Sequence, residues 1–232
     1  VKTDDKSNEI SAIPELLAML ELKGCLVSID AMGCQKDIAE QIVAQGSDYL
    51  LAVKGNQRKL HHALEQSFQE FDSLSKEEVT SQKSRVEYRS YQVLNAAVLP
   101  ESIRNDWPTI KTIAMSDSYR MTKGKKSALE RRYFISSGEL DVDRFAQACR
   151  GHWSIENKLH WVLDVSFDED SCLIYREKAA ANLAAIRHIA VNMMRQEKSR
   201  KLSIPRKKRA LMMDPDYLDI VLEAGVGVAM AK

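Results

Sequence analysis

The chain has 232 residues, a formal net charge of +1 and a hydrophobic share of 44%. That length suits one large domain or two small ones, and that apolar share can fill a core. Near-neutral charge excludes a chain-wide basic excess, so any nucleic-acid signal has to be local. From the start, Ile13, Leu16, Leu17 and Leu20 recur at helical spacing, with Pro14 expected in the first turn. The run CLVSIDAM (25–32) lies between Gly24 and Gly33 and predicts a buried strand. Residues 36–45 predict an amphipathic helix stopped by Gly46, and DYLLAVKG (48–55) a second buried strand. Asn56 is placed to cap a third helix carrying Leu60, Leu64, Phe68 and Phe71. Strand, helix, strand makes a βαβ unit, so the two strands should be parallel neighbours.

Residues 87–99, 109–121 and 127–137 are rich in β-branched and aromatic side chains and predict an antiparallel β insertion. From Asp141 the helical period returns: Val142, Phe145, Cys149, His152, Glu156, Leu159 and Leu163 share a seam, and Gly151 is a candidate kink. An acidic loop (167–172) precedes a long helix from about Glu177 to Gln196, with Leu183, Ile186, Ala190 and Met193 on its seam. The tail sets Arg195, Lys198, Arg200, Lys201, Arg206, Lys207, Lys208 and Arg209 against Glu197. No apolar run approaches the ~20 residues of a membrane span, and no secretory pattern is visible. Cys25, Cys34, Cys149 and Cys172 form no CxxC pair. A reduced, cytoplasmic protein with cysteines in the core and no zinc ribbon is expected. The opening VKTDDKSNEI reads like the interior of a protein, so a fragment is expected.

Asp30 ends a buried strand, at the edge where open α/β sheets bind ligands and metals. It can equally cap the next turn. Lys54, Asn56 and Gln57 follow the neighbouring strand; they can hold phosphate oxygens or serve as a helix cap and a solvated cation. Glu156 lies on an apolar seam, where a carboxylate needs a partner or a metal. His152, Glu156, His160 and Asp164 repeat at four-residue intervals, but such a series drifts around a helix, so at most three can face one ion. Asp168, Glu169 and Asp170 read as a solvated loop. Arg85, Glu87 and Arg89 alternate on one strand face, as a ridge toward DNA or an edge guarded by charge. Arg206, Lys207, Lys208 and Arg209 form a phosphate-binding cluster or an ordinary mobile terminus.

The segments KTDDKSNEISAIPELL, SIDAMGCQKDIAEQIVAQGSDYLLAVKGNQ, RRYFISS, GHWSIENKLHWVLDV and AANLAAIRHIAVNMM together resemble the H-repeat-associated transposases, bacterial DDE-type insertion-sequence proteins. The resemblance runs from about residue 2 to the last long helix. It implies an α/β RNase H-like core, interrupted by a β insertion, with three carboxylates holding Mg²⁺ (or Mn²⁺). Two metal ions would activate water or a 3′-hydroxyl and stabilise the leaving oxygen, cutting and joining DNA at insertion-sequence ends. Asp30 matches the second carboxylate and Glu156 the third. His152 and Lys158 would contact the scissile phosphate, while Lys54, Asn56, Arg85, Arg89 and the tail cations would hold DNA. Implied partners are element-end and target DNA and a second transposase chain.

The first carboxylate of that family belongs to a DGKTxR-type segment that these 232 residues do not contain. An incomplete core and an inactive copy are therefore expected, with a non-catalytic DNA- or transposase-binding module as the alternative. Two departures stand out. Where related transposases carry Tyr, Arg, Glu and Lys, this chain has Cys149, His152, Glu156 and Leu163, and the HGR segment appears as Lys83, Ser84 and Arg85. The expected organisation is a partial core over 1–80, a β insertion over 81–138, a helical part over 139–196 and a basic, helical C-terminal tail over 197–232.

Overall fold

A computed structural model describes residues 9–82, 84–122, 124–174, 176 and 178–229. The chain divides into two compact units, 1–152 and 153–232. The KTDDKS part of the opening motif, Lys83 and Glu177 lie outside the described residues.

The first unit is built on one sheet. Its strands are β1 (Leu26–Ile29), β2 (Asp48–Val53), β3 (Leu74–Gln82), β4 (Arg85–Asn95), β5 (Thr112–Thr122), β6 (Lys125–Lys126) and β7 (Glu130–Ser136). The order is β1-β2-β7-β5-β4-β3, with β6 pairing only to β5. β1 and β2 are parallel, Leu26 opposite Asp48 and Ile29 opposite Leu51, as the βαβ reading requires. The other pairings are antiparallel. The strands expected as an insertion thus continue the sheet that begins with β1 and β2, because β7 returns to lie between β2 and β5.

Alternation along the strands sorts their side chains onto two buried faces. Tyr49, Leu51 and Val53 of β2, Tyr133 and Ile135 of β7, and Ile113 and Met115 of β5 share one core. Four helices contribute to it: α1 (Glu9–Met19), α2 (Lys36–Ala44), α3 (Arg58–Glu70) and α4 (Glu101–Asp106), through Leu17, Ile38, Ile42, Leu60, Leu64 and Ile103. The opposite face carries Leu50, Phe134, Ala114, Tyr91 and Val93. It is covered by Phe145, Ala146 and Cys149 of α5 (Val142–Ile155). Phe145 is fully buried and meets Tyr91 and Phe134 edge-on, at 5.9 and 5.4 Å between ring centres. Each such fully buried apolar side chain stabilises the fold by about 1.5–3 kcal/mol.

Local chemistry fixes where α5 begins. Thr112 Oγ1 donates to Gly138 O and accepts from Leu140 N, and Asp141 Oδ1 accepts from Arg144 N at 2.7 Å. The first pair ties the chain leaving β7 to β5, and Asp141 caps the new helix. The helix runs through Gly151; the pattern changes instead at Glu156–His160, which form a π turn.

The second unit contains that turn, α6 (Trp161–Phe167), α7 (Ala179–Gln196), α8 (Ile204–Met213) and α9 (Pro215–Ala229). The segment read as a helical tail carries α8 and α9. Met194, Tyr217 and Val221 form its core.

Other expectations need correction. Pro14 sits inside α1 rather than in its first turn. Asn56 does not cap α3; Gln57 holds that position without a side-chain capping bond. Cys34 and Cys149 are core residues whose thiols burial pushes up to about 12, but Cys25 is exposed. β3 was not foreseen, because LSKEEVTSQ is too charged to read as a strand. It is the sheet's outer edge, where charge is the usual guard against further pairing.

Gly33 is packed so closely that an added Cβ would come within 2.4 Å of Ile29 Cγ2 and 3.0 Å of Ile13 Cδ1. Gly33→Ala is expected to lower the urea midpoint of unfolding by the equivalent of about 1–3 kcal/mol. An unchanged midpoint would show that this contact relaxes freely.

Candidate functional site

Asp30 follows directly on β1 with extended backbone, so it shares a side of the strand with Leu26 and Ser28. That is the side covered by α5. Its Oδ1 accepts from Met32 N at 2.9 Å, capping the short 3-10 turn Ala31–Gly33. The capping role is therefore real, and it uses one carboxylate oxygen.

The turn after Asp30 is braced from the neighbouring loop. Asn56 Nδ2 donates to Ala31 O at 2.6 Å and Gln57 Nε2 to Cys34 O at 2.8 Å. These two amides, read from the sequence as possible phosphate or cap groups, are spent on positioning the Asp30 turn. Lys54, at the end of β2, is exposed.

His152 reaches the same edge from α5, where its Nδ1 is 3.1 Å from Ser28 Oγ. Ser28 is two residues before Asp30 on the same side of β1. Sequence reasoning passed over Ser28; its signal was a lone hydroxyl inside the apolar run LVSI. Gln57 and Ser28 are thus positioning groups around Asp30.

Glu156 opens the π turn Glu156–His160; its side chain is outside what the structure describes. Such widened turns recur at functional sites. The turn also breaks the four-residue ladder of His152, Glu156, His160 and Asp164. Lys158 is exposed, and its carbonyl accepts from the Arg195 guanidinium. Among the described residues, no group of three or more His, Cys, Asp or Glu is placed to hold a metal ion. Asp30 by itself offers the hard oxygen donor that Mg²⁺ and Mn²⁺ take.

The other cations divide by what they already hold. Arg85, Arg89 and Arg120 all converge on Glu87, which neutralises part of that ridge. Arg206 and Arg209 are exposed on α8. Lys208 donates to Ser166 O at 2.7 Å and lies 5.0 Å from the Phe167 ring centre. Lys207 departs from the expectation of a basic cluster free to meet phosphate. Its side chain is buried, and Nζ donates to Met194 O, Glu197 O and Glu197 Oε2 at 2.8, 2.6 and 2.6 Å. The cause is helical phase: α8 turns Lys207 inward while Arg206 and Arg209 stay outside.

Comparison with known proteins decides the family. A model described as "Transposase DDE domain" matches residues 1–193. The chain belongs to the DDE transposase family. It is 44% identical to "H repeat-associated putative transposase YhhI" of Escherichia coli (strain K12), over 99% of this chain and 62% of that protein. Identity to "Putative protein YbfL" of the same strain is also 44%, again over 99% and 62%. "Putative transposase YncI" of Escherichia coli O157:H7 is 45% identical over 96% of this chain and 59% of its own. The chain thus spans about three fifths of these relatives' length. Membership implies an RNase H-like fold, and the structure shows mixed α/β architecture with a mostly antiparallel sheet. Among the described residues, no helix is long and apolar enough to cross a membrane.

The second unit centres on the Lys207–Glu197 pair. Burial pushes the Glu197 carboxyl up, but bonds from Lys207, Ser199, Tyr217 and Arg200 N outweigh it and hold it well below the usual range. Tyr217, buried and donating to Glu197 Oε2 at 2.7 Å, is pushed up to about 12. A depressed carboxyl stabilises fully above its unfolded value of about 4.3 and loses that contribution as pH falls toward the folded value. The second unit is therefore expected to lose stability progressively below about pH 4. Lys207→Met is expected to cost about 3–5 kcal/mol by stranding Glu197. Urea unfolding read on α7–α9 signals checks both; no loss in the variant would show that Glu197 finds another partner or is protonated at little cost.

Proposed function

We propose that the chain supplies two of the three catalytic carboxylates, Asp30 and Glu156, of a transposase that cleaves DNA at insertion-sequence ends and transfers the strand. The observation that supports this reading is the Ser28–His152 bond, which brings the far end of α5 to β1 two residues before Asp30. Glu156 follows His152 by four residues. An RNase H-like core uses this arrangement of a strand-end Asp and a late-helix Glu.

Asp30 and Glu156 would hold Mg²⁺ or Mn²⁺. The bound metal supplies activation of water or a 3′-hydroxyl and charge neutralisation at the leaving oxygen. The chain's own groups position. Met32 N fixes the Asp30 rotamer through Oδ1, which leaves Oδ2 for the ion. Asn56 and Gln57 keep the turn from moving. His152 is oriented by Ser28, and with Lys158 it would draw the scissile phosphate toward the carboxylates. Lys54, Arg85, Arg89, Arg206 and Arg209 would contact flanking phosphates, a positioning role that carries no sequence information. A second transposase chain is the natural partner for joining two element ends.

With two carboxylates, these 232 residues alone are expected to lack cleavage activity, since losing one charge-stabilising group costs orders of magnitude in rate. Exposed Arg206 and Arg209 on α8 favour a second reading, a module that binds DNA or a transposase without cutting. Mn²⁺ titration of the labelled chain separates these. For the catalytic reading, Mn²⁺ is expected to broaden the amide signals of residues 28–33, Asp30→Ala to abolish this, and Glu156→Ala to weaken it about ten-fold or more. Broadening that ignores both substitutions sinks the shared metal site. DNA binding that survives Glu156→Ala and falls with Arg206, Lys208 and Arg209 neutralised would favour the binding module. Mg²⁺-dependent cutting of element-end DNA, abolished by Asp30→Ala, would overturn the expected inactivity and leave the transposase reading standing.

A further inference from the structure

A widened turn changes the hydrogen-bond ladder of a helix. An α-helical N–H reaches the carbonyl four residues back, and a π-helical one reaches five back, so the ladder is interrupted where one pattern gives way to the other. In the π turn Glu156–His160 the carbonyl of Lys158 is met from outside: the Arg195 guanidinium donates to it from α7. A side chain inserted into the ladder in this way is one of the few causes that keep a helix from running on regularly.

Arg195 is available for this bond because the end of α7 is closed without it. A cation in the last turn of a helix ordinarily turns to that helix's own last carbonyls. Arg195 stands in that turn, but Met193 O accepts from Glu197 N at 3.1 Å and Met194 O from Lys207 Nζ at 2.8 Å. Lys207 also bonds Glu197 O and Oε2, and Val191 and Met194 are buried, so the helix end that carries Arg195 is itself fixed. The bond spans 37 residues and ties that end to the backbone two residues beyond Glu156.

We propose that Arg195 is a positioning residue for Glu156: by holding Lys158 O it fixes the backbone of the π turn, and with it the direction in which the Glu156 carboxylate is presented to a divalent metal. The role rests on the transposase reading and adds to it a residue that acts only through another. A guanidinium suits the task, since a charge-assisted bond is roughly twice as strong as a neutral one. An ammonium keeps the charge and a donor but loses the planar fork, so lysine is expected to replace it only in part.

The test uses the full chain labelled with ¹⁵N and ¹³C. Without metal, Arg195→Met is expected to shift the carbonyl signal of Lys158 and the amide signals of 156–160 while leaving those of α8 and α9 in place. Arg195→Lys is expected to undo part of that shift. The Mn²⁺ dissociation constant, read from the paramagnetic resonance of free Mn²⁺, is expected to rise about ten-fold in Arg195→Met and by less in Arg195→Lys. In a Glu156→Ala background Arg195→Met is expected to add nothing, because its effect passes through that carboxylate. Unmoved signals at 156–160, or a shift spread equally over α8 and α9, would overturn the local hold on the turn. Equal weakening of Mn²⁺ binding with and without Glu156, or weakening by Glu156→Ala but not by Arg195→Met, would overturn the positioning role and leave the transposase reading standing. Mn²⁺ binding indifferent to Glu156→Ala would sink the shared metal site itself and the role with it.

Discussion

The placement of β7 between β2 and β5 governs the first unit. A parallel pair, β1 and β2, cannot by itself bury both faces, and a meander of long antiparallel strands has no reason to join it. β7 makes both ladders at once: Ile135 pairs with Leu51 on one side and Ile113 on the other. Because all three side chains point into the same core, the register cannot slip by one residue without turning them out of it. The same strand delivers the chain, through Gly138 and Asp141, to the opposite face, where α5 begins. The far end of α5 then arrives at β1, which is how a residue so distant in sequence comes to touch Ser28.

Much of this was legible in the sequence. The βαβ unit followed from apolar runs between glycines, and the parallel pairing came with it. The site's outline, Asp30 at a strand end and His152 on the seam of a late helix, followed from alternation and helical period. The order of the strands in the sheet did not, because period 2 says which face a residue occupies and nothing about its neighbour. β3 was hidden for a related reason. An edge strand needs only one bonded side and tolerates the lysines and glutamates that make it resemble a loop.

The polar groups were the least legible part. Asn56 and Gln57 have the composition of a helix cap or a phosphate clamp, and their actual partners are carbonyls more than twenty residues away. Lys207 sits within IPRKKR, where three neighbours are equally basic, and only the phase of α8 singles it out for burial against Glu197. A run of like charges hides a buried ion pair from any reading that counts charge without geometry.

The π turn at Glu156–His160 has a bearing on how this polypeptide can diverge. A turn that accommodates one additional residue rotates everything downstream by about 100° relative to an uninterrupted helix. Closing that turn to an ordinary α-helix without losing a residue would swing Leu163 away from the interior it now fills, whereas removing a single codon at the same time would leave its facing unchanged. Length and turn type at this point are therefore coupled, and descendants can shed the bulge only together with one residue.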